Sequence, residues 1–231
     1  MKPGSEVSAK PELIYVGDPM CSWCWGMAPV IEQLAERKDI AIRVVVGGLR
    51  PGSGAQPLDG NLRAMLAEHW SQVASTTGQP FDETGLDRED WVYDTELPAI
   101  AVTTMRELDP AAELRFFTRL QEAFYRDAVD ITDPDEYPGL VSGFDVEPAA
   151  FMSELSSEEA RTRAWQDFAA ARELGVLGFP TVLLRIEGSI QVLSRGFAPI
   201  DHFDNQLAYW VEGRQPDSAS AYTCSIDGSS C

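Results

Sequence analysis

The chain has 231 residues, 44% of them hydrophobic, enough for one large domain or a domain carrying a sizeable insertion. Its 18 Lys and Arg stand against 37 Asp and Glu, a formal charge of -19, which argues against nucleic acid and anionic membrane surfaces as partners. The opening MKPGSEVSAKPE has no apolar run suited to a signal-peptide core, and no later segment reaches about 18 uninterrupted apolar residues, so a soluble, cytoplasmic protein is expected.

Residues 13–17 (LIYVG) read as a short buried strand, and the following DPM supplies a turn. CSWCWGMAPVIEQLAERK then reads as a helix with Val30, Leu34 and Ala35 on one face and basic residues at its end, where the macrodipole favours them. Residues 40–46 (IAIRVVV) form a second buried strand closed by Gly47 and Gly48, completing a strand-helix-strand crossover.

From 49 to 156 the signals are helical, punctuated by Pro, Gly and Asp. Asn61 is a candidate cap for a helix through about Thr76, and Thr95 for another. Asp109-Pro110 announces a further helix, with Leu114, Phe117, Leu120 and Phe124 near helical spacing. Thr132 and Asp133 before Pro134, and Glu147 before Pro148, mark two shorter ones.

Ser156 and Ser157 precede two glutamates and start a long amphipathic helix ending near Gly175. TVLLRI and SIQVL, separated by Glu187-Gly188, read as antiparallel strands joined by a tight turn. A last helix from about Pro199 to Val211 turns Ile200, Phe203, Leu207 and Trp210 inward, and a Ser-, Asp- and Gly-rich tail follows. The expected class is α/β, with a thioredoxin-like domain at 12–48 and 157–213, an inserted helical subdomain at 49–156, and an irregular tail at 214–231.

The four cysteines form two close pairs, Cys21 with Cys24 and Cys224 with Cys231. A CxxC in the first turn of a helix brings two sulfurs within disulfide reach, and the free N–H groups there favour the thiolate of the first. Cys21 is therefore the candidate nucleophile and Cys24 the resolving cysteine of a thiol-disulfide exchange. A lone CxxC equally fits half of a zinc site. The preceding strand, the following helix and the distant Gly178-Phe179-Pro180-Thr181 at a strand start favour redox chemistry.

DPMCSWCWG at 18–26 together with GVLGFPTVLL at 175–184 resembles the DsbA family of thioredoxin-like proteins, especially its cytoplasmic FrnE-like branch of predicted disulfide isomerases. GGLRPG at 47–52, and HW with TGQPF at 69–81, resemble that branch too. The resemblance implies a helical domain inserted into a thioredoxin fold and a cis proline at Pro180 beside the disulfide, with Phe179 and Thr181 flanking it. It implies protein thiols or disulfides as substrates, no bound cofactor or metal, and thioredoxin or glutathione as redox partner. The dipeptide Ser22-Trp23 departs from the Pro-His of the periplasmic oxidant DsbA, so strong oxidant behaviour does not carry over; Trp23 is read either as a cover for the disulfide that offers apolar surface to unfolded clients or as a partly exposed aromatic packed beside the site.

FrnE-like proteins can carry a C-terminal cysteine pair, which makes Cys224 and Cys231 a candidate second redox pair relaying electrons to the first; a plain staple and a four-cysteine zinc site are the alternatives. The related kappa-class glutathione transferases and hydroxychromene carboxylate isomerases supply a competing enzymatic reading, although they typically place Ser where Cys21 stands. A non-catalytic client-binding chaperone module is a third. Asp18 is read as a turn or cap residue with proton transfer as its alternative role, and His69 and His202 as surface or satisfied core residues. The acidic DITDPDE at 130–136 lacks a calcium-loop pattern and reads as caps in a solvated loop.

Overall fold

The computed structural model describes residues 10–214. A four-stranded sheet is built from β1 (Glu12–Gly17), β2 (Ala41–Val46), β5 (Thr181–Ile186) and β6 (Ser189–Arg195), in the order β2-β1-β5-β6. β1 and β2 run parallel, joined by α1 (Ser22–Ala35), and the remaining pairs are antiparallel. Both faces of β1 are covered, which is why it reads as an unbroken apolar run. Leu13 and Tyr15 pack with Ile31, Leu34, Phe203 and Leu207 from α1 and α8 (Ile200–Trp210), whereas Ile14 and Val16 pack with Ala171 of α7 (Glu158–Glu173) and with Val176.

Between β2 and α7 lie α2 (Gly60–Thr77), α3 (Glu96–Leu108), α4 (Glu113–Gln121), α5 (Tyr137–Leu140) and α6 (Pro148–Leu155). α4 runs on into a π-type turn at Glu122–Arg126. The segment is helical, as read from sequence, apart from one small antiparallel pair: β3 (Gln56–Pro57) bonds β4 (Val92–Tyr93). Two-residue strands carry no periodicity and leave no sequence signal.

Several local expectations change. Asp59, not Asn61, caps α2, its carboxylate accepting from Leu62 N at 2.8 Å. Thr95 stands before α3 but spends its hydroxyl elsewhere; Asp94 accepts from Glu96 N at 2.9 Å instead. On α1 the inward face includes Ile31, and Ala35 is exposed. The basic residues fall beyond the end of α1, where Arg37 pairs with Asp39 and Asp204.

Two contacts fix the helical segment to the sheet. Pro29 sits inside α1 and has no N–H to offer the carbonyl four residues back; Gln79 Nε2 donates to that carbonyl, Trp25 O, at 2.9 Å. Trp25 Nε1 donates in turn to Pro80 O at 3.0 Å, and its indole stacks on Tyr125, which Trp70 and Phe81 meet edge-on. The second contact guards the outer edge of β2. Asp167 of α7 accepts from Val46 N at 3.0 Å, and Arg106 of α3 donates to Val44 O at 3.1 Å. Arg106 also pairs with Asp167 and Glu113 at 2.6 Å each, so the free edge of the sheet is closed by a buried ion network.

Candidate active site

The dithiol lies where the two parallel strands end. Cys21 is the N-cap of α1: its backbone is extended, Trp25 N donates to its carbonyl at 3.0 Å, and its sulfur accepts from Cys24 N at 3.4 Å. Cys21 retains 7% exposure and Cys24 none. Burial, followed by the neighbouring Cys21 sulfur, pushes the Cys24 thiol well above the ordinary cysteine range. One sulfur is therefore reachable from solvent, and the other is sealed inside.

The late motif closes over this pair. The Phe179-Pro180 peptide bond is cis, and Cys21 Sγ donates to Phe179 O at 3.6 Å. Pro180 O accepts from Gly196 N at 2.8 Å, and Thr181 Oγ1 donates to Gly178 O at the same distance, pinning the loop to β6 and to itself. Gly47 makes room for it, because a Cβ there would lie 2.1 Å from Phe179 Cε1. Ser22 and Trp23 are half-buried, and Trp23 leans on Phe197 with ring centroids 6.2 Å apart. Chain positions 21–24 and 178–181, some 155 residues apart in sequence, thus meet at one point. Cys224 and Cys231 lie outside the described residues.

Asp18 is more than a turn residue. Fully buried, it accepts from Met20 N at 2.9 Å and from Leu49 N at 2.8 Å, tying the loop after β1 to the loop after β2. Thr95, just before α3, adds its hydroxyl to the same carboxylate and accepts from Arg50 N at 3.0 Å. Burial raises the Asp18 carboxyl to about 6, against the pull of those donors. His202 is the satisfied core residue expected, with Nε2 2.8 Å from Leu193 O.

His69 lies half-buried on α2. It lines a groove of about 520 Å³ that opens beside Cys21 and Trp23 and runs under the Gly178-Phe179 loop. Arg50 and Arg172 also line it, and no Asp or Glu is among its described lining residues, although acids outnumber bases two to one in the chain. Arg50 is steadied over the Tyr93 ring, 5.8 Å from its centroid, and Tyr93 donates through its hydroxyl to Met20 O. Sequence reasoning missed this grouping, because the two arginines and the histidine come from a loop and two distant helices. No helix is long and apolar enough to cross a membrane among the described residues, and no cluster of His, Cys, Asp or Glu there could hold a metal ion.

A parallel βαβ unit with a dithiol at its helix N-terminus, faced by a cis-proline loop on an antiparallel strand, defines a thioredoxin-fold protein with a redox-type CxxC site. Residues 12–208 match the model of the DSBA-like thioredoxin domain, and the chain belongs to that family. It is similar to a candidate protein disulfide isomerase from Nitrosomonas europaea, at 30% identity and a TM-score of 0.81 over 88% of this chain and 98% of that one. The cytosolic disulfide reductase DsbM from Pseudomonas aeruginosa aligns at 30% identity and a TM-score of 0.67, over 79% and 89% of the two chains. Its structure with GSH gives 28% and 0.69 over the same shares. The ClpXP adapter protein SpxH of Bacillus subtilis (strain 168) is 24% identical over 177 residues, 75% of this chain; the match spans only 58% of that relative's length.

Proposed function

We propose that the chain is a thiol-disulfide oxidoreductase or isomerase acting on protein disulfides in the cytoplasm, with Cys21 as nucleophile and Cys24 as resolving cysteine. The observation that carries this reading is the asymmetry of the pair: Cys21 caps α1, opens to the groove and touches the cis-proline loop, whereas Cys24 is sealed below it. The Cys21 thiolate attacks a substrate disulfide, forming a mixed disulfide and releasing one substrate thiolate. Cys24 then attacks the Cys21 sulfur, closing the Cys21-Cys24 disulfide and releasing the second substrate thiolate, so that two electrons pass to the substrate. The reverse sequence oxidises a dithiol. In this proposal residues 12–48 and 157–213 form the exchange domain, the helical segment 49–156 shapes the groove, and Cys224 and Cys231 relay electrons to the first pair.

Cys21→Ser is expected to abolish reduction of a protein disulfide, and Cys24→Ser to accumulate client mixed disulfides visible on non-reducing gels. Turnover surviving Cys21→Ser rules the assignment out. Replacing Cys224 and Cys231 by Ser is expected to slow turnover while the Cys21-Cys24 pair stays titratable; unchanged turnover rejects the relay.

The acid-free groove favours glutathione as the redox partner, since that tripeptide presents carboxylates at both ends of a cysteinyl thiol. Arg50 and Arg172, which line the groove along with Cys21, are the groups we assign to receive them. Converting both to Gln is expected to raise the glutathione concentration needed for half-maximal turnover at least about tenfold, as loss of charge-assisted hydrogen bonds requires. An unchanged requirement, with the protein still folded, removes glutathione from the groove.

A further inference from the structure

One buried hydroxyl under the dithiol has no nitrogen or oxygen partner among the described residues. Tyr15, in the middle of β1, is 2% exposed, and its ring packs edge-on against Phe117 with centroids 5.6 Å apart. Its Oη is sealed from solvent and meets no nitrogen or oxygen partner among the described residues, which leaves the Cys24 sulfur as the group it faces. Gly17 explains where it points. A Cβ on Gly17 would stand 3.0 Å from both Tyr15 Cζ and Oη and 3.3 Å from Cys24 Sγ. The phenol of β1 and the sulfur of α1 therefore close on one spot, which stays open because residue 17 has no side chain.

We propose that Tyr15 Oη donates a hydrogen bond to Cys24 Sγ when that sulfur is the thiolate, making Tyr15 the residue that stabilises the resolving nucleophile. The inference rests on the exchange reading above. In the step concerned, the Cys24 thiolate attacks Cys21 Sγ of the mixed disulfide, the Cys21-Cys24 bond forms as the bond to substrate breaks, and the charge leaves on the substrate sulfur. Tyr15 gives up no proton and is unchanged at the end. Its own phenol is held well above the ordinary tyrosine range, first by burial and then by the two cysteines, so it stays a donor at every working pH. The other groups bearing on Cys24 are Cys21, which raises its thiol, and the backbone N–H of Asp18, which lowers it; Tyr125 of the π-type turn lies near enough to feel its charge. An uncharged donor suits this place, because a cation sealed there without a partner would be costly to bury.

The test uses the full chain with Cys224 and Cys231 replaced by Ser. Tyr15→Phe keeps the ring packing and removes only the hydroxyl oxygen, which has no nitrogen or oxygen partner, so folding stability is expected to hold or rise. In the presence of Cys21→Ala, thiolate absorbance against pH reports Cys24 alone, and Tyr15→Phe is expected to move its midpoint to higher pH. With Cys21 present and carrying thionitrobenzoate as a mixed disulfide, release of the chromophore by Cys24 at neutral pH is expected to slow roughly tenfold, the effect of losing one hydrogen bond to a charged acceptor. Gly17→Ala, which crowds the phenol away from the sulfur, is expected to shift both readouts in the same direction. A Cys24 midpoint that does not move in Tyr15→Phe overturns the proposal. Failure of the parent protein to release the chromophore, with the midpoint still responding to Tyr15→Phe, instead overturns the resolving role of Cys24 and leaves the hydrogen bond standing.

Discussion

Asp18→Asn isolates what the buried carboxylate under the active-site loops costs. Burial moves the folded-state carboxyl from the usual 3.8 to about 6. At about 1.4 kcal/mol per tenfold change in proton affinity, the gap corresponds to about 3 kcal/mol. The folded pKa is the raised one, so the folded chain holds this proton after the unfolded chain has lost it. The contribution to stability is therefore complete below about pH 3.8 and disappears as the pH rises to about 6. Asn has a similar shape but no titration, and it sacrifices one acceptor, since its amide cannot accept from both Met20 N and Leu49 N. Urea unfolding of parent and variant at about pH 4 and about pH 7 separates the two effects. The lost acceptor lowers the variant at both values. Between these two pH values the titration changes the difference between the proteins by about 2.4 kcal/mol, with the parent gaining on the variant in acid. Other carboxylates titrate alike in both and cancel. A parent-variant difference that stays constant between the two pH values refutes the reasoning.

Arg106→Met leaves Asp167 and Glu113 facing each other without their shared cation and strips Val44 O of its donor; a loss of about 3 kcal/mol in chemical denaturation is expected, and one below about 1 kcal/mol would show the network to be replaceable. Gly47→Ala drives a Cβ into the Phe179 ring and is expected to cost about 1–3 kcal/mol of stability and to lower disulfide exchange by displacing the carbonyl that meets Cys21; exchange at the parent rate would show that the cis-proline loop yields freely. Gln79→Ala leaves Trp25 O without its donor behind Pro29, with an expected loss of about 1–2 kcal/mol by thermal unfolding.

Local chemistry made much of this protein legible in its sequence. The apolar run LIYVG, the CxxC opening a helix, the Ser157 cap and the Gly-Phe-Pro-Thr entry to a strand each act within a few residues. Each stands where it was read, including a cis bond at Pro180. Periodicity tells which face of an element is buried; it does not tell what lies opposite. Only the tertiary structure could therefore decide that Asp18 is sealed between two loops, and that His69, Arg50 and Arg172 share a groove with Cys21. The same holds for Gln79 replacing the N–H that Pro29 lacks, and for the Tyr15 hydroxyl meeting Cys24 across Gly17. The CxxC spacing fixes which two sulfurs can react, because four consecutive residues at a helix start hold them within reach. Which sulfur meets the substrate, and what holds the charge on the other, depends on contacts between residues far apart in the chain, which no local pattern encodes.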